Sequence, residues 1–171
     1  MPALPLDDKR WVELWSSEGP ARNMPQQIAY LLEHPEDLEA LGYLNDAACS
    51  DGMAWSGGFA AMPYLVDVAR KLPPAKRRDV LATIGWIATA ASFESDDAHA
   101  KMVPYLEESY YQAIRDCQPL LAEALQCEQA EREFAGLLFT AAALNGHPQL
   151  AAVLANLDSC EHCSGILGWN A

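Results

Sequence analysis

Apolar residues recur along the chain at three- and four-residue intervals, and no stretch sustains the alternation of a strand. The spacing predicts an all-helical protein. Its strongest stretch is residues 79–92, where Val80, Leu81, Ile84, Ile87, Ala88 and Ala91 leave little of the circumference polar. A helix that apolar has to be covered on two or more sides, so the rest of the chain is expected to pack around it.

Prolines, glycines and capping residues divide the remainder. A first helix is expected over residues 7–17, with Trp11, Leu14 and Trp15 on one face, stopped by Gly19-Pro20. A second starts after the cap Asn23, tolerates Pro25 in its first turn and ends at His34-Pro35. A third covers residues 35–49, with Glu36 and Asp37 in its first turn. Asp51-Gly52 and Gly57-Gly58 then read as the two ends of a flexible connection. Met62-Pro63-Tyr64-Leu65 opens a helix that Pro73-Pro74 breaks before the central one. Beyond a Ser95-Asp96-Asp97 cap, helices are expected over 103–116, from Pro119 to Cys127, over 129–144 up to Asn145-Gly146, and from His147-Pro148 to about 157.

One phrase occurs three times. Gly42-Tyr43-Leu44-Asn45-Asp46-Ala47-Ala48, Gly85-Trp86-Ile87-Ala88-Thr89-Ala90-Ala91 and Gly136-Leu137-Leu138-Phe139-Thr140-Ala141-Ala142 each show glycine, a large residue, an aliphatic residue, any residue, Asp or Thr, then Ala-Ala. The opening prolines Pro25, Pro63 and Pro104 are 38 and 41 residues apart. Paired helices in units of about 40 residues resemble HEAT and armadillo arrays. Leu14-Trp15 with Gly19-Pro20-Ala21, the Met62-Pro63-Tyr64-Leu65 opening and the Cys160-Glu161-His162-Cys163 tail are similar to features of uncharacterised bacterial HEAT-repeat proteins. The resemblance implies an all-α, HEAT/armadillo-like solenoid of about three helix-pair units, near 23–50, 61–92 and 103–145, with capping helices at each end. Residues 1–158 would form one domain and 159–171 a tail. It further implies a concave face of second helices that binds another macromolecule; some such proteins are immunity or accessory proteins beside toxins.

Composition narrows the partner. A hydrophobic fraction of 51% excludes global disorder. Eleven basic against 24 acidic residues give a formal charge of −13, which repels nucleic acid and anionic membranes. DNA glycosylases of HEAT-like form use strongly basic concave faces, so the charge argues against that branch. After residue 91 there are twelve acids and three bases, so the expected partner is a basic protein surface. Five of the bases, Arg70, Lys71, Lys76, Arg77 and Arg78, cluster in one turn, which reads as a solvated helix connection. The N-terminal residues show no basic region with a hydrophobic run, the longest apolar runs are about half of a membrane span, and the five cysteines do not suggest a disulfide framework. A soluble, cytoplasmic protein is expected.

Chemistry is sparse. Nucleophile-elbow, zinc-protease and phosphate-loop motifs are absent from the sequence. Asp96 and His99 stand at the spacing used in di-iron bundles, but that site needs a second copy, and the acids read as a helix cap. Cys160 and Cys163 resemble half a zinc site; a full one would draw on Cys117, Cys127, His147 or a partner chain. The main reading is therefore a non-enzymatic protein-binding module without cofactor, and the alternative is a zinc-binding metalloprotein or metal-dependent enzyme using those cysteines. By helical phase the ligand-facing candidates are Asn45, Asp46, Thr83 and Glu133. Gly42, Gly85 and Gly136 are expected to mark close helix-to-helix approach.

Overall fold

Capping chemistry sets the first boundaries. In the computed structural model, which describes residues 3–50, 52–93, 95–127 and 131–156 (excluding the side chains of 131–133), the chain is mostly helical. Helix α1 is Met24–Glu33 and α2 is Leu38–Ala48. Asp37 accepts a hydrogen bond from Ala40 N at 3.0 Å and so satisfies one of the free amides at the start of α2. Helices α3, Ser56–Lys71, and α4, Arg78–Ala91, follow, then α5, Glu107–Leu125, α6, Glu131–Leu144, and α7, Pro148–Ala155. The end of α6 shows why Asn145-Gly146 stops a helix. Gly146 takes φ 75°, which lets its amide reach Ala143 O and the His147 amide reach Ala142 O, pairing carbonyls the helix leaves open.

Two layers result. Helices α1, α3 and α5 pack side by side in one; α4 packs on α2 and α6 in the other, where α6 also packs on α7. The layers meet where α1 packs on α2, α3 on α4 and α5 on α6. Helix α4 touches α2, α3, α5, α6 and α7, as its apolar circumference requires, and buries nine of its fourteen residues. Helix α3 buries eleven of sixteen.

Several expectations fail for physical reasons. Residues 7–17 do not form a helix. Lys9–Val12 is a single 3-10 turn capped by Asp8, and the chain then forms a short antiparallel pair, β1 (Trp15–Ser16) with β2 (Gly19–Pro20). Trp11 is buried and its Nε1 donates to Pro5 O at 2.9 Å, while the Tyr64 hydroxyl donates to Leu4 O, so tertiary anchors shape this segment. The connection after α2 is a tight hairpin, β3 (Cys49–Ser50) against β4 (Met53–Ala54). Gly57 and Gly58 lie in the first turn of α3, where they permit close packing. A Cβ on Gly58 would stand 2.5 Å from Ala48 O, and one on Gly57 would stand 2.9 Å from Trp15 O. Pro63 and Pro119 sit inside α3 and α5 and end neither helix. Each removes one helical hydrogen bond, a local cost overridden by the burial of the surrounding turns.

The three glycines also diverge. Only Gly85 marks a close approach: its Cβ would lie 2.9 Å from both Phe139 Cε1 and Thr140 Oγ1. Gly42 has nothing within 4 Å, and Gly136 has only Arg78 Cγ at 4.0 Å. The third phrase is in a different helical phase. Leu44 and Ile87, two residues after their glycines, are buried, whereas Leu138 at that place is exposed and its neighbours Leu137 and Phe139 turn inward.

The basic turn is not merely solvated. Arg70 pairs with Asp67 and with Asp116 of α5, Lys76 pairs with Glu36, and Lys71 donates to Leu32 O in the last turn of α1. Arg77 is buried, donating to Leu72 O at 3.0 Å and to Glu123 of α5 at 2.5 Å.

Candidate functional site

The site is built on the stripe Arg78–Ala82–Trp86, which lies at four-residue spacing on α4. While most of α4 is covered, the Trp86 indole remains 43% exposed. It tilts against the buried Phe139 ring of α6, centroid to centroid 4.6 Å. Trp86 borders three cavities. One, of about 380 Å³, lies among α4, α6 and α7 and is walled by Ala82, Phe139 and Leu154. A second, of about 310 Å³, lies between α2 and α4 and is walled by Leu38, Gly42 and Asn45. The third, of about 350 Å³, lies among the β3–β4 hairpin, α4 and α7. Leu38 and Tyr43 of α2 are exposed nearby in sequence register, and the Tyr43 hydroxyl lies 3.3 Å from Glu39 Oε1.

The residues singled out by helical phase fare differently. Asn45 is half-buried and borders two of these cavities, and Thr83 borders one of the same two. Asp46 is exposed and lines neither. Thr83 does not present a polar face: it is 4% exposed and its hydroxyl donates back to Asp79 O at 3.2 Å. The outward position of α4 is three residues further on, at Trp86. Glu133 lies in the first turn of α6, and its side chain falls outside the described residues, as do Cys160 and Cys163. Of the residues proposed to complete a zinc site, Cys117 is fully buried in α5, and burial pushes its thiol up to about 12. Among the described residues no group of three or more His, Cys, Asp or Glu could hold a metal ion. Asp97 accepts from the His99 amide at 2.8 Å as a cap, and the His99 ring stacks on Trp15 at 3.8 Å, so the Asp96/His99 spacing does not build a ligand pair.

In the sequence Tyr64, Trp86, Tyr105, Tyr110 and Tyr111 all stand at helical spacing, which suggests core packing for each and does not single out Trp86. Of that set Tyr110 is buried, where burial raises its hydroxyl pKa, and Tyr64 and Tyr105 are part-buried. Only Trp86 and Tyr111 are exposed, and Tyr111 is on the other layer.

These features define an all-α protein of two packed helical layers, with the exposed Trp86 at the junction of three surface cavities. Among the described residues no helix is long and apolar enough to cross a membrane. No protein-family model, curated protein or solved structure matches the chain.

Proposed function

We propose that the protein is a non-enzymatic helical-repeat binding module of the HEAT type, whose α2–α4–α6 layer receives a basic segment of another protein. The observation that carries this reading is the exposed Trp86 in the middle of an otherwise covered helix. Tryptophan is the side chain most enriched among residues that dominate interface energies, and it is costly to leave in water without a use. Three cavities beside it offer room for a partner's apolar side chains. The exposed Glu39 and Asp46 on α2, and a formal charge of −13, favour a partner that brings lysine or arginine.

Display selection of random peptides against the immobilised protein tests this. Enriched sequences should combine basic with aliphatic or aromatic residues, and Trp86→Ala should weaken them by about thirtyfold, the loss of an interface anchor worth about 2 kcal/mol. Asp46→Lys should act mainly on association rate, and its effect should shrink as salt rises. Failure to enrich any peptide, or peptides that bind Trp86→Ala as tightly as the parent, would rule the reading out.

A further inference from the structure

A cavity of about 440 Å³ lies between the end of α4, residues 95–102 and Phe59 of α3. It shares only Phe93 with the cavities around Trp86. Small-molecule sites run from about 300 to 1,000 Å³, so the volume suffices for a compact ligand. Of the described lining residues only Asp96 and Lys101 are charged, and both are exposed. Among the described residues neither makes an ion pair or a side-chain hydrogen bond, with the other or elsewhere. The five cations of the basic turn, by comparison, all find acceptors. The segment carrying Asp96 and Lys101 is nonetheless anchored. The Asp97 amide donates to Ser95 Oγ at 3.1 Å, the His99 amide donates to Asp97 Oδ1 at 2.8 Å, and the His99 ring stacks on Trp15. Both charges flank this turn.

Helix α4 ends at the same cavity. The Ser92 amide donates to Thr89 O, the Phe93 amide to Ala90 O, and the Ser92 hydroxyl to Ala88 O at 2.9 Å. The carbonyls of Ala91 and Ser92, two of the lining residues, accept nothing among the described residues. A helix end with open carbonyls carries partial negative charge. The cavity therefore has a negative pole, Asp96 with the end of α4, and a positive pole at Lys101. The remaining lining is largely apolar, with Phe93 49% exposed and Met102 and Ala91 half-buried. A purely cationic ligand would meet Lys101, and a purely anionic one would meet Asp96. A ligand carrying both charges on neighbouring atoms gives each pole its counter-charge.

We propose that this cavity binds the zwitterion of an apolar α-amino acid. The ammonium group pairs with Asp96 and the open carbonyls at the end of α4, and the carboxylate pairs with Lys101. The side chain lies against Phe93 and Met102. This site is separate from the partner-binding face, and neither Trp86 nor any residue of α2 takes part in it.

L-Phenylalanine is the probe, with phenethylamine and hydrocinnamate as analogues that lack its carboxylate and its ammonium group. Ligand-observed saturation transfer at millimolar concentration should detect phenylalanine. Each analogue should bind about fivefold more weakly, the loss of one solvent-accessible charge pair. Asp96→Asn should weaken phenylalanine about fivefold without weakening hydrocinnamate, and Lys101→Met should weaken it equally without weakening phenethylamine. Both positions are exposed, so the variants should melt as the parent does. Trp86→Ala, which removes the proposed anchor for a protein partner, should leave phenylalanine binding unchanged. Absence of transfer from phenylalanine, equal binding of the three compounds, undiminished binding by both charge variants, or loss of binding in Trp86→Ala would overturn the proposal.

Discussion

Gly85→Leu is expected to destabilise the protein by about 2–3 kcal/mol, while Gly42→Leu leaves stability nearly unchanged. The two positions are equivalent in sequence, so the contrast isolates packing. At Gly85 the added carbon meets Phe139 and Thr140 at 2.9 Å and the Thr140 Cα at 3.1 Å, and the last is backbone that cannot swing aside. Thr140 is itself fixed, its hydroxyl 3.1 Å from both Leu81 O and Gly136 O. Inserting a side chain must therefore push α4 and α6 apart along their contact. At Gly42 the carbon meets nothing within 4 Å, and replacing a helical glycine recovers backbone entropy, so Gly42→Ala should stabilise by about 0.5–1 kcal/mol. For a chain of this size the Gly85→Leu loss corresponds to a fall in melting temperature of about 4–12 °C. Equal melting temperatures for Gly85→Leu and Gly42→Leu would show that the α4–α6 contact is not as close as described.

Trp11→Ala is expected to cost more, about 3–5 kcal/mol. Trp11 is 2% exposed and is the largest side chain in the buried set of the N-terminal segment. Removing it opens a cavity in the core to which it belongs, and it also strands Pro5 O, which loses the indole donor. Trp11→Phe separates the two effects: it keeps most of the packing and loses the hydrogen bond, worth about 1 kcal/mol. Urea titration of both variants gives the order parent, Phe, Ala. A Trp11→Ala midpoint at the parent value would mean that the residues before α1 contribute nothing to the fold.

Helix type was legible wherever the apolar period ran unbroken and a cap or turn closed it, as at Asp37 and Asn145-Gly146. It was misread where a single residue type was given its average meaning. Pro63 looks like a helix start and Pro119 like a break, but both lie inside helices, where the tertiary burial of α3 and α5 outweighs one lost hydrogen bond in each. Gly57 and Gly58 look like a flexible link, but their missing Cβ atoms face Trp15 O and Ala48 O across chain neighbours that sequence alone does not bring together. The repeated phrase located three helices correctly and gave the wrong rotation for the third, because Ala, Leu and Phe suit either of two adjacent faces. A misplacement of three residues, a little under one turn, put Thr83 outward when Trp86 is the exposed position. Asn45 was reached by phase, but the cavities it borders depend on what α4 and α7 place opposite it, and nothing local encodes that.

The grip of the basic turn bears on how the molecule comes apart. Arrays of stacked helix pairs, the arrangement proposed for this chain, can fray from an end one unit at a time, since each unit touches only its neighbours. Here the cations between α3 and α4 reach back to Leu32 O and Glu36 and forward to Asp116 and Glu123. Most of these pairs are exposed and individually weak. Arg77 differs, because peeling α5 away would leave a buried guanidinium with only the Leu72 carbonyl for company. Fraying from the C-terminal side should thus run through α7, whose outward Leu150 and Val153 are more than half exposed, and stall before α5. Amide exchange would then divide the chain into an early-opening C-terminal part and a block from α1 to α5 that opens together.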